Sequence, residues 1–137
     1  MLIVDTGPLV AAADSADPDH VACAGLLQRE TGPLRTTRLV MIAEAAYMIG
    51  RRISAEAEAK FFRSIANGDL LIDALIGDDL VRIADLVDTY SDLPLGGTDA
   101  SLIALAERLH QDTIATLDRR HFGVVRPAHV PGFQIVP

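Results

Sequence analysis

The sequence predicts an α/β fold, a short and mostly parallel sheet of four or five strands flanked by helices. Two observations carry that expectation. Short apolar runs of strand length alternate with longer stretches of helical periodicity, and strands joined through helices return to the sheet in parallel. The first run, Leu2-Ile3-Val4, is apolar at every position, as a strand buried on both faces between helical layers must be. The chain of 137 residues has no repeat, low-complexity tract or linker, so residues 1–137 are expected to form a single domain around one core.

Leu2–Val4 is the first strand, and Asp5 ends it. Thr6-Gly7-Pro8 opens a short helix to about residue 13. Asp17-Pro18-Asp19 sets a capping acid ahead of a proline. The fixed φ and missing N–H of proline suit a first helical position, so a helix is expected from there to about Glu30, stopped by Thr31-Gly32-Pro33. Leu34–Thr36 reads as the second strand, Leu39–Arg52 as a helix, and Ser54–Ala66 as another closed by Asn67-Gly68. Leu70–Ile72 is the third strand, Asp78 to about Tyr90 is helical, and Ser91–Gly97 is loop. Thr98 is expected to cap a helix through about His110. Thr113–Leu117 is the fourth strand, Asp118 begins a tight turn, and Phe133–Val136 is a last strand at an edge. In such sheets function gathers at the carboxyl ends of the strands.

Composition narrows the class. Half of the residues are apolar but only 4% are aromatic, with no Trp, so Leu, Ile, Val and Ala must build the core. The lone Cys23 excludes an internal disulfide and reads as a small buried apolar side chain. No run approaches the roughly 18 apolar residues of a membrane span, and Met1-Leu2-Ile3-Val4-Asp5 has no basic region of the signal-peptide kind. A soluble, cytoplasmic domain is expected. Nineteen acids against twelve bases give a net charge of −7, and all bases but Lys60 are arginines. Contact with a polyanion would therefore fall to a few local arginines helped by a metal ion.

Four carboxylates stand where an explanation is needed. Asp5, at the end of the first strand, has a plain reading as a turn acid and a functional one as a strand-end site residue. Glu44 lies in Leu39-Val40-Met41-Ile42-Ala43-Glu44-Ala45-Ala46-Tyr47-Met48-Ile49, with Val40, Met41, Tyr47 and Met48 as its helical neighbours and no opposite charge in reach. It is either the one wet position of that helix, an acid paired with a distant arginine, or a site carboxylate. Asp99, after Gly96-Gly97-Thr98, complements a helix dipole, yet at helical spacing it sits beside Leu102, Ile103 and Ala106. Asp118 precedes Arg119-Arg120-His121-Phe122 and reads as a turn acid, or as a second strand-end carboxylate if strands one and four are neighbours.

Three or four converging carboxylates repel one another, and a hard divalent cation, Mg2+ or Mn2+, removes that penalty. Zinc is disfavoured, because one Cys and the scattered His20, His110, His121 and His129 offer no ligand spacing and read as surface or capping residues. Such a cation with local arginines can hold a phosphate and support phosphodiester hydrolysis. Arg51, Arg52, Arg119 and Arg120 are the candidates for phosphate contact, with salt bridges to surface acids as their plain reading.

Over nearly its whole length the chain resembles the PIN-domain ribonucleases, specifically the VapC class of toxins from type II toxin–antitoxin pairs. The resemblance rests on Ile3-Val4-Asp5-Thr6-Gly7-Pro8-Leu9-Val10, the central Glu44, Leu95-Gly96-Gly97-Thr98-Asp99-Ala100-Ser101 and Ile114-Ala115-Thr116-Leu117-Asp118-Arg119-Arg120-His121-Phe122. It implies a three-layer fold and endonucleolytic cleavage of RNA dependent on Mg2+ or Mn2+. Asp5 and Asp99 match the principal metal-binding acids, Glu44 the helix acid of the cluster, and Asp118 the fourth, which serves a second metal or orients water. Thr98 and Thr116 fall where hydroxyls orient neighbouring acids, although a helix cap and a strand residue are their plain readings. Many relatives carry a further acid where this chain has His121, which bears on whether a second metal is held.

The resemblance also implies a co-encoded VapB-type antitoxin that can insert a basic side chain into the acidic cleft, contact with DNA only through that antitoxin, and a homodimer. Val21–Leu27 and Phe61-Phe62 would supply contact surface or core.

Three rival readings fare worse. Asp5-Thr6-Gly7 mimics the triplet of retroviral-type aspartic proteases, but those are nearly all β. A receiver domain expects paired acids after its first strand and a late lysine, whereas Lys60 is central. A catalytically inactive PIN-fold regulatory or scaffold domain is the alternative, and the presence of all four acids speaks against it.

Overall fold

A computed structural model describes residues 1–137. Five parallel strands, β1 (Leu2–Val4), β2 (Leu34–Thr37), β3 (Leu71–Asp73), β4 (Thr113–Ala115) and β5 (Gln134–Val136), form one sheet in the order β3-β2-β1-β4-β5. Seven α-helices flank it: α1 (Thr6–Ala13), α2 (His20–Arg29), α3 (Ala46–Arg52), α4 (Ala55–Asn67), α5 (Gly77–Thr89), α6 (Gly97–Arg108) and α7 (Arg119–Val124). The α/β class and the parallel sheet are as the sequence predicts, and the fifth strand lies at the edge.

The apolar run of β1 takes the centre because it can be covered on both faces, and all three of its residues are buried. Its neighbour β4 is registered so that Ile3 faces Ile114 and Val4 faces Ala115. Helix α6 packs on β1, β2 and α5, and its run Ala100–Ala106 is buried throughout. Burial of Leu102, Ile103 and Leu105 contributes about 2 kcal/mol each, while the small Ala100, Ser101 and Ala104 let the helix approach the sheet. Helix α6 is thereby fixed against the strand ends, and Asp99 with it.

Several local expectations need correction. The second helix begins at His20 rather than at Pro18, because the Asp17 carboxylate accepts the Asp19 N–H at 2.8 Å and closes a turn of its own. The stretch expected as one helix from Leu39 opens with π-helical winding over Val40–Ala45 before α3. Such winding inserts an extra residue in the turn and re-aims the side chains it carries, here Glu44. Gly96, not Thr98, caps α6, so Thr98 lies inside the first turn. The turn expected after Asp118 is the short helix α7, and β4 ends at Ala115, two residues early. By contrast, the helix closed by Asn67-Gly68 ends as expected. Ser54 Oγ accepts the Ala57 N–H at its start, and Gly68 takes φ +86° at its end.

Cys23 is buried in α2 and unpaired. Phe61 belongs to the core, whereas Phe62 and Val21 are exposed. No helix is long and apolar enough to cross a membrane.

Candidate active site

The backbone N–H of Asp5 donates to the Ala115 carbonyl at 2.9 Å, so the pairing of β1 with β4 continues up to the residue that leaves the sheet. This register sets Asp5 beside Thr116, and both side chains are buried. Thr116 Oγ1 donates to Asp5 Oδ2 at 2.7 Å and accepts the Asp118 N–H at 2.9 Å. The other oxygen, Asp5 Oδ1, accepts the Thr6 N–H at 2.7 Å and so caps α1. Both Asp5 oxygens are thus held.

Helix α1 packs on the π-helical stretch, which brings Thr6 Oγ1 to 2.7 Å from Glu44 Oε2, to which it donates. Glu44 is half-buried with a hydroxyl, not an arginine, as its partner. Gly7 lets the start of α1 lie close to Leu117, from whose side chain a Cβ there would stand 3.3 Å. From α6, Asp99 Oδ2 accepts His121 Nδ1–H at 2.8 Å, and the same nitrogen lies 3.0 Å from Asp118 Oδ2. Asp118 Oδ1 accepts the His121 N–H at 2.9 Å and caps α7.

Asp5, Glu44, Asp99 and Asp118 line one cleft of about 520 Å3 at the carboxyl ends of β1 and β4, with Arg119 and Arg120 at its rim. The structure therefore brings all four sequence-predicted acids together. Arg51 and Arg52 are exposed at the end of α3, one turn beyond Met48, and do not line the cleft. Arg119 Nη2 donates to the Pro137 carbonyl oxygen at 2.5 Å. Thr98 touches none of the acids through its hydroxyl, while its carbonyl accepts Ser101 Oγ at 2.6 Å.

Sequence reasoning set His121 aside as a surface or capping residue, and the structure corrects this, for the ring stands between two of the acids. Thr6 was missed as the support of Glu44; its place directly after Asp5, at the start of a helix, was the available signal.

Burial pushes the Asp5 carboxyl up to about 6, against the pull of the Thr116 and Thr6 hydrogen bonds, and the charges of Asp99 and Glu44 add to the rise. Asp99 is also raised, first by burial and then by Asp118 and Glu44, with His121 opposing. The cleft thus holds more negative charge than its own cations balance. The acids that line the cleft, Asp5, Glu44, Asp99 and Asp118, offer the charge and oxygen chemistry that a hard divalent cation takes, and the residues whose donor atoms lie within 4.8 Å of one another are Asp99, Asp118 and His121.

The family model of the PIN domain matches residues 2–126, which span all four acids gathered at the strand ends. The chain belongs to the PIN domain family. It is 33% identical over 136 residues to Ribonuclease VapC26 of Mycobacterium tuberculosis, covering 99% of this chain and 100% of that protein. Its fold matches the crystal structure of Mycobacterium tuberculosis VapC20, described as a Sarcin-Ricin loop cleaving toxin, with a TM-score of 0.79. That match covers 96% of this chain and 99% of the other at 16% identity, a likeness of fold. The resemblance expected from the four sequence motifs is thereby borne out.

Proposed function

We propose that the chain is a metal-dependent endoribonuclease, the toxic member of a VapC-type toxin–antitoxin pair acting in the cytoplasm. The observation that carries this reading is the convergence of Asp5, Glu44, Asp99 and Asp118, from four separate segments, in one cleft without an arginine or lysine bonded to any of them. The full-length likeness to a VapC ribonuclease supports the choice of RNA.

Asp5, Asp99 and Asp118 would hold the cation, Mg2+ or Mn2+, with Glu44 beside them. When bound, that ion supplies Lewis-acid polarisation of a phosphoryl oxygen and lowers the pKa of water. The residues of the chain do the rest. Thr116 and the Thr6 N–H fix both Asp5 oxygens, so the most buried acid costs no reorganisation when charge develops. Asp118, the more open of the two acids beside His121, faces the water that enters the cleft. Arg119 and Arg120 sit where they can bind the phosphates flanking the scissile bond, and Arg51 and Arg52 would engage RNA only beyond the cleft.

The acidic cleft and the net charge of −7 suit a basic antitoxin segment of the VapB type, with DNA reached only through that partner. A homodimer is proposed on the same likeness. Purified chain freed of any partner should cut RNA in Mg2+ or Mn2+ and stop in EDTA. Asp5→Asn and Asp99→Asn should each lower cutting by at least about 100-fold, with the metal-free melting temperature unchanged or raised. Normal cutting by either variant would remove the basis of the assignment.

A further inference from the structure

The imidazole of His121 stands against two of the acids that line the cleft, Asp99 and Asp118. Its Nδ1 is 2.8 Å from Asp99 Oδ2 and 3.0 Å from Asp118 Oδ2. The donor atoms of these three residues lie within 4.8 Å of one another. Donors sharing one small divalent ion at about 2.1 Å stand about 3 Å apart, and the two nitrogen–oxygen separations match that spacing. Helix α7 presents the ring in this position. Its cap bond, from the His121 N–H to Asp118 Oδ1, fixes the backbone of both residues, and the neighbouring Phe122 is buried in the core. The ring is itself only 19% exposed, so it is not a surface histidine that happens to meet an acid.

We infer that His121 selects the metal: its Nδ1 joins Asp99 and Asp118 as a nitrogen donor and biases the site toward Mn2+ over Mg2+. The inference rests on the metal-dependent reading proposed above. Mg2+ gives up its water reluctantly and prefers oxygen on every side, whereas first-row transition ions accept an imidazole beside two carboxylates. In the metal-free chain the Nδ1–H bridges the two carboxylates. A cation entering the site takes the place of that proton: Nδ1 gives it up to solvent, Nε2 carries the hydrogen of the neutral ring, and the freed Nδ1 lone pair faces the ion. A carboxylate at this position would complete an all-oxygen set and remove the bias.

The test uses the whole chain, freed of partner and metal, with Mn2+ and Mg2+ as the probes. Electron spin-echo envelope modulation of the Mn2+ complex should show nitrogen-14 coupling from a directly bound imidazole. In His121→Asn that coupling should vanish. Calorimetric titration should then show the preference for Mn2+ over Mg2+ falling on the order of tenfold. His121→Asp should lower it at least as far. Mn2+ bound without nitrogen coupling in the unmodified chain overturns the inference, as does an unchanged ion preference in a folded His121→Asn. Should that variant fail to fold, the spectrum of the unmodified chain alone decides. Mn2+ bound without nitrogen coupling in a chain that cuts RNA removes only this inference. A chain that binds neither ion removes it together with the metal-dependent reading.

Discussion

Asp5 and Asp79 are almost equally hidden from solvent, at 7% and 4% exposure, yet they keep opposite company. Asp79, on α5, receives Arg108 Nε on both oxygens at 3.1 and 3.2 Å and the Ile76 N–H at 3.0 Å. Beside it the Arg82 fork holds both oxygens of Glu107 at 2.8 Å. Asp5 has a hydroxyl and a backbone amide as its partners, and its charged neighbours are Asp99 and Glu44. Burial alone therefore does not separate an acid that holds the fold from one that serves a site. Countercharge does: the α5–α6 face is neutralised from within, while no arginine or lysine bonds to the acids of the strand-end cleft.

The largest effect that tests this contrast is the pH dependence of stability in EDTA. The folded chain raises the Asp5 carboxyl from 3.8 to about 6, so it binds that proton more tightly than the unfolded chain does. Stability should rise as pH falls from about 6 to about 4, and above that window the charged Asp5 costs up to about 3 kcal/mol. Urea denaturation across pH 4–8 should show the dependence in the unmodified chain and a clearly weaker one in Asp5→Asn, where the raised Asp99 remains. An Asp5→Asn curve parallel to that of the unmodified chain would mean that the carboxylate is already compensated, and the contrast would fail.

Next in size is the same substitution made in the other region. Asp79→Asn removes an acceptor from Arg108 and should cost about 2 kcal/mol, the worth of hydrogen bonds to charged groups when one partner stays half-exposed. Asp5→Asn at neutral pH should cost nothing or stabilise. Opposite signs at two equally buried aspartates, read from denaturation midpoints, are the expected outcome.

How much of this was legible in the sequence follows the same division. An acid directly after an apolar strand and an acid inside an apolar helix are anomalies visible without coordinates; the β1–β4 pairing brings Asp5 to the Thr116–Asp118 segment, and the packing of α1 on the π-helical stretch adds Glu44. The pairing of Asp79 with Arg108 was not visible, because it depends on how α5 is rotated against α6 across a separation of 29 residues. His121 escaped for a related reason. Ligand spacing was sought locally, whereas its partner Asp99 lies 22 residues earlier on another helix. Placing the end of the fourth strand at Leu117 made Thr116 look like a sheet residue, although the strand ends at Ala115 and the hydroxyl is free to bind Asp5. The π-helical winding around Glu44 has no sequence signature comparable to the Ser54 and Gly68 caps.

Thr116 offers the smallest effect and separates the two regions by kind rather than by size. Thr116→Val keeps the shape of a side chain that is 1% exposed, but it deprives Asp5 Oδ2 of its donor and the Asp118 N–H of its acceptor. The stability loss should be about 1 kcal/mol, close to what removing one arginine fork from the α5–α6 face would cost. RNA cutting should fall about tenfold, since Asp5 and Asp118 lose the hydroxyl that holds them in register. Thr116→Ser, which restores that hydroxyl, should recover most of the cutting, whereas Arg82→Ala should lower stability and leave cutting within about twofold. If Thr116→Val cut RNA at the original rate, the hydroxyl would be a packing feature, and the two regions would differ in charge alone.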